Sequence, residues 1–295
     1  MNRFAAACVL LTLATSAPAQ KGKPTTPLTP EIAYTYASGN YMDLRLANED
    51  GTGAVTLHRG AYGAITQFDL GPRSQMQVAF LENRDLKLLT YEPTGTGNVR
   101  TSGVVTLYAG PGNVDSLSFS LDGSKIAIFV QEQDNNRILA LDTANGAVTE
   151  LGKVNWAFYL AWYHDGSGVV YKDLDQATSQ YVVRELLLDG ANQLLLSEAN
   201  IEHVDTARTS KDLLVSYSRP GLDEIRVGRW SNGNYSNERV VAGLLAHFNC
   251  NDTRFIYRGY ARMKRPTYKY SYATNSNSTF STDNDIHHTD WMPTC

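Results

Sequence analysis

The feature that most constrains this chain is a tandem period. Six segments, ITQFDLGP, SLSFSLDG, YLAWYHDG, DTARTSKD, AHFNCNDT and TDWMPTC, each place a short strand pattern ahead of a polar turn. Phe68, Phe119, Trp162, Ala207, Phe248 and Trp291 fall at matching places, at intervals of 51, 43, 45, 41 and 43 residues. A four-stranded propeller blade takes about 40–45 residues. Each segment leads into an apolar or β-branched run such as QVAFL, KIAIF, GVVYK, LLVSY or RFIYR, and then into further strand patterns around turns such as NEDG, TANG and WSNG. Helical periodicity is almost missing, so the unit reads as four antiparallel strands joined by hairpins and the fold class as all-β.

The two ends of the chain complete the period. Trp291 stands four residues from the C-terminus, so its unit has a first strand and no continuation, whereas Ile32-Ala33-Tyr34-Thr35-Tyr36 reads as a second strand with no first. In SLSFSLDGSKIAIF the second strand begins seven residues after the aromatic, and those seven added to the 36 between Ile32 and Phe68 restore a 43-residue period. The expectation is a six-bladed β-propeller over residues 31–295, closed by the C-terminal strand pairing with the N-terminal strands. Closure removes the unpaired edges that an open stack leaves.

Outside the repeats, MNRFAAACVLLTLATSAPAQ combines Arg3, an apolar run from Phe4 to Leu13 and a small-x-small site at Ala17-Pro18-Ala19, the pattern of a signal peptide over residues 1–19. Residues 20–30, rich in Pro and Thr, read as a linker. No stretch approaches the ~20 apolar residues of a spanning helix. The expected location is therefore the periplasm or the extracellular space. The 26 basic against 30 acidic residues, net −4, supply no general pull towards nucleic acid. Once residues 1–19 are removed, Cys250 and Cys295 are the remaining cysteines. They lie at corresponding turns of neighbouring units, so a bridge stapling the closure and two separate thiols are both open readings.

The segments SFSLDGSKIAIF and AWYHDGSGVVYK resemble the repeat of the TolB-like propellers, also called PD40 or WD40-like repeats. The resemblance covers residues 31–295. The fifth unit departs most, with Ala207 at the aromatic place and Ser210-Lys211 at the turn, and the second carries about two extra residues at Gly71 to Gln75. The resemblance implies a six-bladed propeller, and TolB itself carries a further α/β domain for which this chain has no room. It does not fix an activity, because the same repeat serves binding proteins, peptidase gates and some sugar-active enzymes.

Nucleophile elbows, HExxH, CxxC pairs, Walker loops and dinucleotide fingerprints are absent from the sequence, and no cofactor is expected. The densest local chemistry is DNDIHHTDW, with Asp285, His287, His288 and Asp290 on or just before the last first strand. In a regular strand Asp285 and His287 share one face while His288 and Asp290 share the other. The shared register aligns His203 and Asp115 with His287 and sets His247 beside its aromatic as Asp290 is. These residues form a candidate ligand site at the channel mouth, with a divalent metal in the channel as one reading and solvated inner strands as the other. His164-Asp165 reads as turn capping. The run YRGYARMKRPTYKYSY offers a second surface, Arg262, Lys264, Arg265 and Tyr268, for a polyanion or glycan, although TYKYSY also reads as a strand packing its tyrosines on the neighbouring blade. The functional expectation is a monomeric, non-enzymatic module of the cell envelope that binds a protein or peptide. The alternative is a glycan-binding or sugar-active lyase- or hydrolase-like protein using the His/Asp cluster.

Overall fold

A computed structural model describes residues 31–94, 98–133, 135–197, 200–218, 225–241, 243–259, 267–281 and 286–292. Its strands in chain order are β1 (Ile32–Ser38), β2 (Tyr41–Ala47), β3 (Val55–Ala61), β4 (Ile65–Leu70), β5 (Gln77–Glu82), β6 (Asp85–Pro93), β7 (Val99–Thr101), β8 (Val105–Tyr108) and β9 (Asn113–Phe119). There follow β10 (Lys125–Gln131), β11 (Arg137–Asp142), β12 (Val148–Lys153), β13 (Phe158–Trp162), β14 (Gly168–Asp175), β15 (Gln180–Leu187), β16 (Asn192–Leu196) and β17 (Asn200–Thr206). The last are β18 (Leu213–Ser218), β19 (Ile225–Ser231), β20 (Asn234–Val241), β21 (Gly243–Phe248), β22 (Arg254–Gly259), β23 (Thr267–Ser271), β24 (Ser276–Ser281) and β25 (Ile286–Trp291).

These strands form six antiparallel blades. Blade two runs β4-β5-β6 and splits its outer strand into β7 and β8, both paired to β6, while blades three to six take β9 to β24 four at a time. Blade one has the order β25-β1-β2-β3, with Ile32 opposite Trp291, Ala33 opposite Asp290 and Tyr34 opposite Thr289. The ring therefore closes through the two ends of the chain, as the period requires. Among the described residues no helix is long and apolar enough to cross a membrane.

The burial pattern explains the composition of each strand. The second strand of a blade is covered on both faces by its neighbours, so it reads as an unbroken apolar run: Ile126 to Val130 of β10 are all buried. Outer strands such as SNSTFS in β24 have one partner and face water. Contacts between blades form the cores. Ala127, Phe129 and Ile138 of blade three pack on Trp162, Val169 and Tyr171 of blade four. At the hairpins between first and second strands, Asp122 accepts the Ser124 N–H and Asp165 accepts the Ser167 N–H, each at 2.9 Å, with Gly123 and Gly166 in the left-handed region (φ 71 and 69). Asp165 is thus a turn residue.

Two details of the repeat register differ from the aromatic alignment. The rung that opens each first-to-second strand pairing joins Trp291 to Ile32, Phe119 to Ile126, Trp162 to Val169 and Phe248 to Phe255. In blade five that rung joins Thr206 to Leu213, and in blade two Leu70 to Val78. Thr206 and Leu70, rather than Ala207 and Phe68, hold the equivalent places. Tertiary position overrides residue type there: Phe68 packs instead in the core between blades one and two.

Candidate functional site: a funnel over a narrow chamber

The corrected register brings a second pattern to light. The residue before the rung is Asp69, Ser118, Ala161, Asp205, His247 and Asp290 in the six blades, and all of these line the channel except Ala161, which packs in the core between blades four and five. Four of these accept a backbone N–H from the rung of the next blade. Asp290 Oδ2 takes Leu70 N–H at 3.3 Å, Asp69 Oδ2 takes Phe119 N–H at 2.6 Å, Ser118 Oγ takes Trp162 N–H at 3.2 Å and Asp205 Oδ2 takes Phe248 N–H at 2.9 Å. Each first strand is an edge in its own blade, with donors aimed at the channel, and these side chains satisfy them across the blade boundary. The carboxylates are blade-to-blade fasteners.

One level towards the mouth, each of the six first strands carries a bulge. The pairing skips one residue at Thr66, Asp115, Glu202 and His287, and two residues oppose one at Tyr159-Leu160 and Leu245-Ala246. A bulge breaks the alternation of faces, so consecutive residues reach the same space. His287 and His288 both line the mouth for this reason, as do Thr66 and Gln67. Tyr159 and Leu245, equivalent residues in blades four and six, adopt φ of 54 and 59, a conformation unfavourable for non-glycine residues.

The result is a funnel of about 420 Å³ at the end where the first strands begin. Its wall includes Met42, Tyr62, Ile65, Phe158, Tyr159 and Leu245, and its polar groups include Thr66, Asp115 and His287. Gln67, Tyr159 and His288 form its floor, because they line both the funnel and a small chamber of about 20 Å³ beneath it. The chamber has room for about one water molecule. Arg208 and Asp69 separate it from a pocket of about 10 Å³ at the opposite mouth.

Inside the chamber three imidazoles stand edge to face, His203 to His247 at 4.7 Å and His247 to His288 at 5.5 Å between ring centroids. Burial holds all three below the ordinary histidine range, and repulsion from neighbouring imidazoles adds to it at His203 and at His288, the latter down to about 3. They are neutral at physiological pH. His247 Nδ1 lies 3.6 Å from Asp290 Oδ1 and 3.9 Å from Asp205 Oδ2, while His203 Nδ1 and His247 Nε2 are buried without a hydrogen-bond partner. Burial, then the neighbouring Asp290 carboxylate, pushes Asp69 well above the carboxylate range. The Arg208 guanidinium, its side chain 14% exposed, answers this acidic ring. Burial opposes its charge, but Asp205, Asp290, Asp69 and Asp252 outweigh that and raise its pKa.

The sequence-predicted site therefore divides. Asp115, His287 and His288 line the mouth. His203, His247 and Asp290 lie in the small chamber below it, and in the corrected register His203 matches His288 rather than His287. Asp285 lies outside the described residues. Among the described residues no group of three or more His, Cys, Asp or Glu side chains is placed to hold a metal ion. Arg262, Lys264 and Arg265 also lie outside the described residues, and Tyr268 packs its ring 5.4 Å from that of Tyr257 across β22 and β23, the strand reading of that run. Cys250 is disulfide-bonded, and Cys295 lies outside the described residues. Asp69, Asp205, Arg208 and Tyr159 were missed. The first two carried a signal, since FDL, VDT and TDW repeat an aspartate before the rung once the rung is located correctly.

Neither protein-family models nor curated protein sequences match this chain. Solved structures do. TolB from Acinetobacter baumannii superposes with a TM-score of 0.68 at 15% identity over 92% of this chain and 68% of that one. A TolB assignment from Agrobacterium tumefaciens gives 0.62 at 12% identity over 91% and 100%. A chain of a nidogen/laminin complex gives 0.62 at 9% identity over 90% and 99%. At these identities the likeness is one of fold. With its six radial sheets, its closure through both chain ends and this superposition, the chain has the six-bladed β-propeller fold that these TolB structures share.

Proposed function

We propose that this protein is an exported, non-enzymatic binding module that takes a peptide or a segment of another envelope protein into the funnel and works as a monomer. The observation that carries the reading is the contrast between the two parts of the channel. The funnel is open, has the volume of a ligand pocket and is walled largely by apolar and aromatic side chains. The chamber beneath it has room for about one water molecule and admits no substrate, and its aspartates accept backbone N–H groups across blade boundaries. Of its imidazoles His288 also lines the funnel, whereas His203 and His247 line the chamber alone. The strained backbone at Tyr159 and Leu245 fits a wall preorganised for a ligand. The nidogen/laminin chain belongs to a protein–protein complex, which supports the same use of this architecture. The signal-peptide pattern and the disulfide at Cys250 favour an oxidising, exported location such as the periplasm.

Peptide display with the full mature chain tests the reading. Selected peptides should bind the wild type and lose at least about tenfold in affinity to Thr66→Trp, a substitution that fills the funnel, the equivalent of about 1.4 kcal/mol. Binding untouched by Thr66→Trp, or turnover of an oligosaccharide by the purified protein, overturns it.

A further inference from the structure

The funnel also carries information about what enters it. Of the described residues that line it, Asp115 is the one carboxylate, and none is a lysine or arginine. Asp115 occupies the bulge of β9, which turns its carboxylate out of the ladder and towards the mouth. Among the described residues it has neither a hydrogen bond nor an ion pair. The basic groups nearby are engaged elsewhere or act from a distance. Lys172 places its ammonium 3.8 Å from the centroid of the Tyr181 ring and 5.8 Å from that of Tyr159 and donates to the Glu202 carbonyl at 3.3 Å, and Arg258 donates to the His287 carbonyl at 2.8 Å. Arg84 acts on Asp115 through the field without forming an ion pair.

A half-buried carboxylate with no partner is costly, and the wall around this one is aromatic: Phe158 and Tyr159 come from the adjoining blade, and Tyr62 stands edge-on to His287 at 6.3 Å. Ring faces attract cations, more strongly where water is partly excluded. His288 does not compete for the carboxylate with a full charge, since burial keeps it neutral. Desolvation likewise disfavours the bare Asp115 anion and pushes its carboxyl above the ordinary range, a cost that an incoming cation relieves.

We propose that the funnel is a receptor for a cationic side chain, a lysine or arginine of the bound peptide, which pairs with Asp115 between the rings of Tyr62, Phe158 and Tyr159. This deepens the binding reading above and rests on it. The test uses N-acetyl-lysine methylamide and N-acetyl-arginine methylamide against neutral N-acetyl-norleucine methylamide, titrated into the wild-type chain and followed by NMR. The cationic probes should bind about tenfold more tightly than norleucine, with an advantage that shrinks as salt is raised. Asp115→Asn should erase the advantage, and Asp115→Glu should keep it. Equal affinities on the wild type, no binding of either cationic probe, or a preference that survives Asp115→Asn overturns the proposal. The comparison on the wild type needs no variant, so a poorly folding Asp115→Asn does not block the test. The display experiment separates the two claims: funnel-dependent peptides without lysine or arginine enrichment sink this inference alone, whereas funnel-independent binding sinks the broader reading.

Discussion

Replacing Arg208 by Met probes the charge balance of the channel. The Arg208 backbone N–H is held by Asp252 at 2.7 Å, with Thr209 N–H on the same carboxylate at 2.9 Å, so the local turn does not depend on the guanidinium. The side chain does the electrostatic work. Its Nη2 stands 3.5 Å from Asp205 Oδ2, and the carboxylates of Asp290 and Asp69 also act on it. Methionine keeps most of the length and apolar contact while removing the charge. Asp205 and Asp290 are then left buried without a counterion, and removing one member of such a set costs about 3–5 kcal/mol. For a domain of this size each kcal/mol is worth roughly 2–4 °C, so Tm should fall by about 6–20 °C at pH 7.5. The pH dependence supplies the sharper test. Burial already holds the Asp290 carboxyl above its ordinary value and Arg208 draws it down, so without Arg208 its native pKa rises further above the unfolded one. A raised native pKa favours the native state at low pH, and the benefit is lost as pH rises through that value. The deficit of the variant relative to wild type should therefore shrink as pH falls from 7.5 towards 4.5, by up to about 1.4 kcal/mol per unit for each carboxyl that takes up a proton. Urea denaturation followed by tryptophan fluorescence at several pH values measures it. A loss under about 1 kcal/mol, or one that does not change with pH, would refute the account of Arg208 as the resident cation of the ring.

Two further outcomes follow from the same geometry. The imidazole column has native pKa values below the unfolded one, so its contribution is complete above pH ~6.5 and is lost as pH falls towards the native values, while the raised Asp69 and Asp290 oppose that trend. Wild-type Tm should decline from pH 6.5 to 5, and His288→Gln should flatten the decline; superimposable pH profiles for the two proteins would count against the column. Reduction of the disulfide at Cys250 should lower stability by about 3–4 kcal/mol in the chain-entropy model, read as a lower Tm with reductant than without. An identical melt in both conditions would show that the bond is not a staple.

How much of this was readable in one dimension follows from which features are local. The period, the turn chemistry at Asp122-Gly123 and Asp165-Gly166, and the half-unit at each end are properties of consecutive residues, and they were enough to imply six blades and the pairing of Ile32 with Trp291. Registers of individual blades were less legible. Aromatic residues marked the rung in blades three, four, six and one, but in blade two Phe68 serves the inter-blade core, and in blade five Thr206 holds the place without any aromatic signal.

The sequence by itself determined an all-β ring closed by its own ends, because hairpins and strand periodicity are short-range and each blade must bury its faces against a copy of itself. Only the tertiary structure decided the site. Six bulges at one level set aside the strict alternation of faces, so His287 and His288 reach one space and Asp115 turns into the funnel. His203, Asp205 and Arg208 of blade five instead close on His247, Asp290 and Asp69 of blades six, one and two, far away along the chain. Strand alternation is a rule about one chain segment, whereas a channel is made of six, and its electrostatics exist only when they converge.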